Sequence, residues 1–106
     1  MRIRIFDSAK LDLVDGFSFY EAQASGVGRY FLDSLYSDID SLALCAGIHR
    51  KNTKGLHWML SKRFPYAIYY TVADDLVSVH AILDCRQDPG RIEDRLNRER
   101  TRRWSQ

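Results

Sequence analysis

Two cysteines, two prolines and six glycines in 106 residues are too few for several kinds of protein. Cys45 and Cys85 lie far apart, with no CxxC pair and no histidine at ligand spacing, so neither a disulfide framework nor a zinc site is expected. So little proline and glycine excludes a disordered chain. No stretch approaches the ~18 consecutive apolar residues of a membrane helix. The opening MRIRIFDSAK lacks the apolar core of a signal peptide, so a cytoplasmic protein with no membrane partner is expected. Also missing are a P-loop, HExxH and GxGxxG. Gly26-Val27-Gly28 lacks the preceding strand and third glycine of a dinucleotide loop and reads better as a helix connection. No cofactor and no metal are expected.

What the sequence does contain suits one domain over residues 1–106. A hydrophobic share of 45%, with 12% aromatics, is enough to fill a single core in a chain of this length. Arg2 to Phe6 alternate as a half-buried strand does, and Asp7-Ser8 supply oxygens that can cap a helix. From Ala9 to about Gln23, Leu13, Phe17 and Tyr20, with Val14 beside them, recur at helical spacing despite Gly16. A second helical period runs through Val27, Phe31, Leu35, Ile39 and Leu42, and the short break at Ser25-Gly26 predicts a helical hairpin.

After Gly47 the period changes to two. Gly55–Lys62, Phe64–Thr71 and Leu76–Leu83 read as strands, with Ala73-Asp74-Asp75 as the tight turn. In the last of them 77, 79, 81 and 83 are expected to share one face. Arg91 to about Arg102 reads as a short exposed helix or frayed tail. The order β-α-α-β-β-β predicts an α+β fold, with the hairpin packed on a mostly antiparallel twisted sheet.

Net charge is only +2, but it comes in blocks: −3 over residues 1–48, +5 over 49–63, −3 over 64–90 and +3 over 91–106. The second block is the one with chemical interest. If Lys54, Trp58 and Lys62 share a strand face, an aromatic surface lies between two cations. Arg63, Arg86 and Arg91 stand at strand or loop ends, and Arg86 directly follows the last strand, where a rigid sheet would fix it. His49, His57 and His80 are not at metal spacing, and a lone strand histidine is more often a half-exposed side chain than a general acid or base. Glu21 with Asp33 or Asp38 makes a poor hydrolytic pair, because these acids lie on opposite arms of the hairpin.

Three stretches together resemble the ParE/RelE toxins of bacterial toxin–antitoxin systems, also called plasmid stabilisation proteins. They are Tyr20-Glu21-Ala22-Gln23-Ala24-Ser25-Gly26-Val27-Gly28, Arg63-Phe64-Pro65-Tyr66-Ala67-Ile68-Tyr69-Tyr70, and Val79 through Pro89. The resemblance implies two helices on a twisted antiparallel sheet and one of two activities. RelE-like members cut messenger RNA on the ribosome with lysines and arginines. ParE-like members inhibit DNA gyrase and need no nuclease site.

Aligned on the shared strand, Trp58 and Leu60 stand where RelE-like enzymes carry lysines, Ala67 where they carry an arginine, and Ile92 near their terminal tyrosine; only Arg86 matches. One retained cation cannot easily supply proton abstraction, phosphate stabilisation and leaving-group protonation together. The resemblance therefore implies a gyrase-binding toxin rather than an enzyme, with Lys62, Arg63, Arg86, Arg91 and Arg95 as target contacts. The alternatives are an endoribonuclease using Lys54, Lys62, Arg63 and Arg86, or a degenerate relative that mainly binds its antitoxin. The implied partner is a cognate antitoxin, expected on the apolar hairpin at Phe17, Tyr20, Phe31 and Leu35, with the sheet open to an added strand. Operator DNA would be reached only through that antitoxin.

Overall fold

The computed structural model describes residues 1–46, 48, 51 and 55–104, with side chains through Glu99. In chain order the elements are β1 (Arg2–Ile5), α1 (Asp7–Gln23), α2 (Val27–Cys45), β2 (His57–Leu60), β3 (Tyr66–Ala73), β4 (Leu76–Asp84) and α3 (Pro89–Trp104). The strands form one sheet in the order β1-β4-β3-β2. β1 runs parallel to β4, and the other two pairings are antiparallel. This is the α+β architecture expected from the sequence. Among the described residues no helix is long and apolar enough to cross a membrane.

The hairpin α1–α2 covers one face of the sheet. Phe31, Leu35, Ile39 and Leu42, spaced three or four apart on α2, are buried against Ile68, Tyr70, Val77, Val79 and Ile82. α1 contributes Ala9 and Leu13 to the same core, whereas Val14 is exposed. Two glycines let the helices approach. A Cβ on Gly16 would overlap the ring of Phe31, and one on Gly28 would come within 2.8 Å of Phe17 and Glu21. Gly26, with φ of 90°, makes the left-handed turn that reverses the chain.

The helix start differs from expectation. Phe6 is the N-cap of α1 and makes no side-chain cap, while Asp7 and Ser8 lie in the first turn. Asp7 there favours the positive end of the helix. Ser8 turns inward, its Oγ within hydrogen-bond distance of the His80 carbonyl (3.3 Å) and of Glu99 Oε1 (3.2 Å). The strands are also offset from the sequence bounds. Pro65 lies before β3, with its carbonyl accepting from Cys85 N at 2.8 Å, and Lys62 lies beyond the end of β2.

The expectation that 77, 79, 81 and 83 share a face is corrected by a β-bulge. Tyr69 pairs with Ala81 and Tyr70 with Val79, so His80 is an extra residue in β4. The alternation flips there. Val77, Val79 and Ile82 face the hairpin, whereas Ala81 and Leu83 join a second cluster with Leu56 and Leu96.

That second cluster receives α3, which is a docked helix and not a frayed tail. Among the described side chains its apolar anchors are Ile92 and Leu96. Beyond the end of β1, α1 runs beside β4, and Asp12 Oδ2 accepts from Ile82 N at 2.9 Å. Arg95 of α3 then clamps that carboxylate. A helical carboxylate and a helical guanidinium thus cover the strand edge that β1 leaves unpaired.

Candidate functional site

The candidate residues sort into three places, according to what the fold does with each charge or ring. The first is the end of the sheet where the helical hairpin turns. Glu21 accepts from Gly26 N (3.1 Å) and Gly28 N (3.0 Å), so its carboxylate caps the start of α2. The cap gives Glu21 a structural task, and the missing Cβ of Gly28 is what lets α2 start this close to Phe17 and Glu21. Around this turn Tyr20, Phe31, Phe64 and Tyr66 form an aromatic cluster, with ring centroids 4.9 to 6.4 Å apart.

Two of the predicted cations, Lys62 and Arg63, directly precede Phe64 of this cluster in the chain. Arg63 lies over Tyr30, 5.9 Å from the ring centroid, and is exposed. Lys62 is exposed as well, its backbone N–H donating to Asp38 Oδ2 at 3.3 Å. Arg86 is different. Its Nε and Nη2 donate to Asp84 Oδ1 (3.0 Å) and Oδ2 (2.9 Å), and Nη2 also donates to Tyr20 Oη at 3.3 Å. Those bonds hold the Asp84 carboxyl below the usual carboxylate range. Burial, and then the negative charge of Asp84, push the Tyr66 phenol up to about 12.

The second place is the junction of α1, β4 and α3, and here the structure corrects the sequence reading. Arg95 cannot serve as a surface contact, because its Nη1 and Nη2 donate to both oxygens of Asp12 (2.7 and 2.8 Å) and its Nε donates to Glu99 Oε2 at 2.7 Å. Its side chain keeps 16% of its exposure. Burial pushes the Asp12 carboxyl above its ordinary value in spite of the guanidinium. Arg91 remains exposed and lines a groove of about 650 Å³ with Asp15, Asp84 and Arg98.

The third place is the outer surface of the hairpin. Phe31 and Leu35 are wholly buried, so they belong to the core and cannot meet a partner. Helical periodicity finds the buried stripe of an amphipathic helix, not a second apolar stripe on the far side. Phe17 and Tyr20 are half-buried. Phe17 lines an apolar groove of about 270 Å³ with Leu13, Val14, Leu32 and Tyr36. Leu11, Val14 and Tyr36 are among the apolar residues exposed on the hairpin; the sequence pattern does not single out Leu11 and Tyr36, and it sets Val14 beside the Leu13–Phe17–Tyr20 stripe. The signal was present: Leu11 and Val14 are three apart and point away from the Leu13 stripe.

Lys54 lies outside the described residues. The expected Lys54–Trp58–Lys62 stripe therefore reduces to Trp58, which stands on β2 opposite Tyr69.

The sequence matches no protein-family model and no curated protein. The fold does have a counterpart among solved structures. A chain of the "Chromosomal ParDE TA system from P. aeruginosa" superposes with a TM-score of 0.71 at 16% sequence identity, over 77% of this chain and 92% of that one. The chain thus shares its fold with a component of that system.

Proposed function

We propose that this chain is the toxin of a type II toxin–antitoxin pair, acting as a ParE-like inhibitor of DNA gyrase and neutralised by a cognate antitoxin. The observation that carries the reading is the shared fold with a chain of a ParDE system, over three quarters of the molecule. The state of Arg86 supports the gyrase branch over the nuclease branch. A catalytic cation must be able to meet a phosphate as charge develops on it, and Asp84 already occupies this guanidinium with two hydrogen bonds. Lys62 and Arg63, both exposed, are the target contacts, with Arg91 as a further exposed cation on the groove beside Asp84.

The antitoxin would lay a helix along the outer groove between α1 and α2, with apolar side chains meeting Val14, Phe17 and Tyr36. The decisive test is a supercoiling assay with the purified chain. Inhibition of gyrase, relieved by a Lys62→Ala/Arg63→Ala pair and by the neighbouring gene's product, is expected. Unaffected supercoiling while expression of the chain arrests growth would end the reading. Cleavage of translated messages at ribosomal A-site codons would replace it with the endoribonuclease.

A further inference from the structure

The face of the sheet opposite the hairpin is divided at the bulge. α3 covers β4 at Ala81 and Leu83, leaving the half before His80 uncovered by any described helix. There a concavity of about 420 Å³ is lined by Arg4, Lys51, His57, Thr71, Ser78 and His80, and among the described residues no carboxylate lines it. Its size falls in the range of small-molecule sites. Bulges recur beside such sites because the extra residue re-aims a side chain.

Arg4 sits on β1 directly across from Ser78 on β4. Its Nε and Nη2 both donate to Ser78 Oγ, at 3.3 and 3.0 Å, and its guanidinium lies 4.4 Å from the centroid of the Phe6 ring. Both partners are neutral. They fix the direction of the guanidinium without cancelling its charge, which is the reverse of what Asp84 does to Arg86. Phe6 is itself braced by the His80 ring at 4.8 Å, and His80 Nε2 is hydrogen-bonded to Thr71 Oγ1 at 2.9 Å. Lys51 adds a second cation from the approach to β2, where it bridges to His57. Cations and hydroxyls thus converge from four segments of chain, three of them in a rigid sheet. Donors from that many directions suit the three oxygens of a phosphate group better than the two of a carboxylate.

We propose that this concavity binds the phosphate group of a small ligand of mononucleotide size, with Arg4 as the principal contact and Lys51 as the second. The site is independent of the gyrase reading, since none of its residues belongs to the Lys62–Arg63 end. The test uses the full chain, with pyrophosphate and adenosine monophosphate as probes. Amide shifts followed by NMR should saturate at Arg4, Thr71, Ser78 and His80, with binding complete by about 10 mM probe. Arg4→Gln should raise the dissociation constant about tenfold or more, and Lys51→Ala about threefold, while Arg91→Ala leaves it unchanged. If Arg4→Gln unfolds, Lys51→Ala, altering an exposed side chain, carries the comparison. The proposal is overturned if no saturable shift occurs at those residues, if neither variant weakens it, if citrate binds as tightly as pyrophosphate, or if only a single-stranded oligonucleotide binds.

Discussion

Replacing Arg95 with methionine tests whether α3 is held by charge rather than by apolar contact. Arg95 makes three hydrogen bonds of 2.7 to 2.8 Å to Asp12 and Glu99, whose side chains keep only 10% and 1% of their exposure. Methionine refills the volume of the stem but leaves two neighbouring buried carboxylates without their shared cation. Breaking a buried ion pair from one side costs about 3–5 kcal/mol. Against a total stability of about 5–15 kcal/mol, that is about a fifth of the fold at the least. At about 4 °C per kcal/mol, Tm should fall by roughly 12 °C or more. The pH dependence has a definite sign. Burial already pushes Asp12 up, and without Arg95 the push grows. A carboxyl whose folded pKa lies above its unfolded value contributes stability below the unfolded value and loses it as pH rises through the folded one. The deficit of Arg95→Met should therefore be largest near neutrality and shrink toward the ordinary carboxylate range near pH 4. Urea unfolding followed by circular dichroism, at about pH 7.5 and about pH 5, measures both effects. A penalty under about 1 kcal/mol at the higher pH, or one equal at both, would refute the reasoning. Combining the change with Asp12→Asn and Glu99→Gln should restore most of the loss, because the cost lies in the stranded charges.

Gly16→Ala places a Cβ on the ring of Phe31, which is fully buried and has no room to yield. A loss of about 1–3 kcal/mol in urea unfolding is expected, and a neutral result would mean that the helices are not packed at this crossing. In an ultraviolet titration the Tyr66 phenol should ionise only as the pH reaches about 12, because burial and Asp84 both oppose its anion. Comparison with Tyr66→Phe isolates that phenol, and loss of a signal that titrates at the ordinary value near 10 would contradict the burial of its hydroxyl.

The order of elements was legible because each carried its own period. Phe31, Leu35, Ile39 and Leu42 mark α2 as a helix and name its buried face in one pattern. What hydropathy could not show was a helix that docks through charge. Among the described side chains of α3 the apolar contacts are Ile92 and Leu96, and the residues that fasten it, Arg95 and Glu99, look solvated in a sequence. The bulge was equally invisible. Val77 to Ala81 alternate in the sequence, but Ala81-Ile82-Leu83 is an apolar run that fits either face, and the extra residue at His80 is defined only by the pairing with β3. Both misses bear on function, since one removed Arg95 from the surface and the other divided the open face. The aromatic and basic wording around Arg63–Tyr70 and Arg86 did locate one end of the sheet correctly. It did not disclose that Asp84, two residues before Arg86, takes up that cation.

A cation's role here depends on its partner more than on its exposure. Arg29 pairs with Asp33 one helical turn away, Arg86 with Asp84, and Arg95 with Asp12 and Glu99. The three arginines have very different exposures, yet none presents an uncompensated charge. Arg4 and Arg63, by contrast, rest on aromatic rings and keep theirs. The two lie at opposite ends of β3. Arg63 precedes Tyr66, while Arg4 stands beside Ser78, which pairs with Thr71. Five residues of strand separate those ends by about 17 Å. A protein bound at the Lys62–Arg63 end need not cover the concavity around Arg4, so a defect at one should leave the other intact. That separation makes the tests of the proposed gyrase inhibition and of the proposed phosphate binding distinct, each resting on its own arginine.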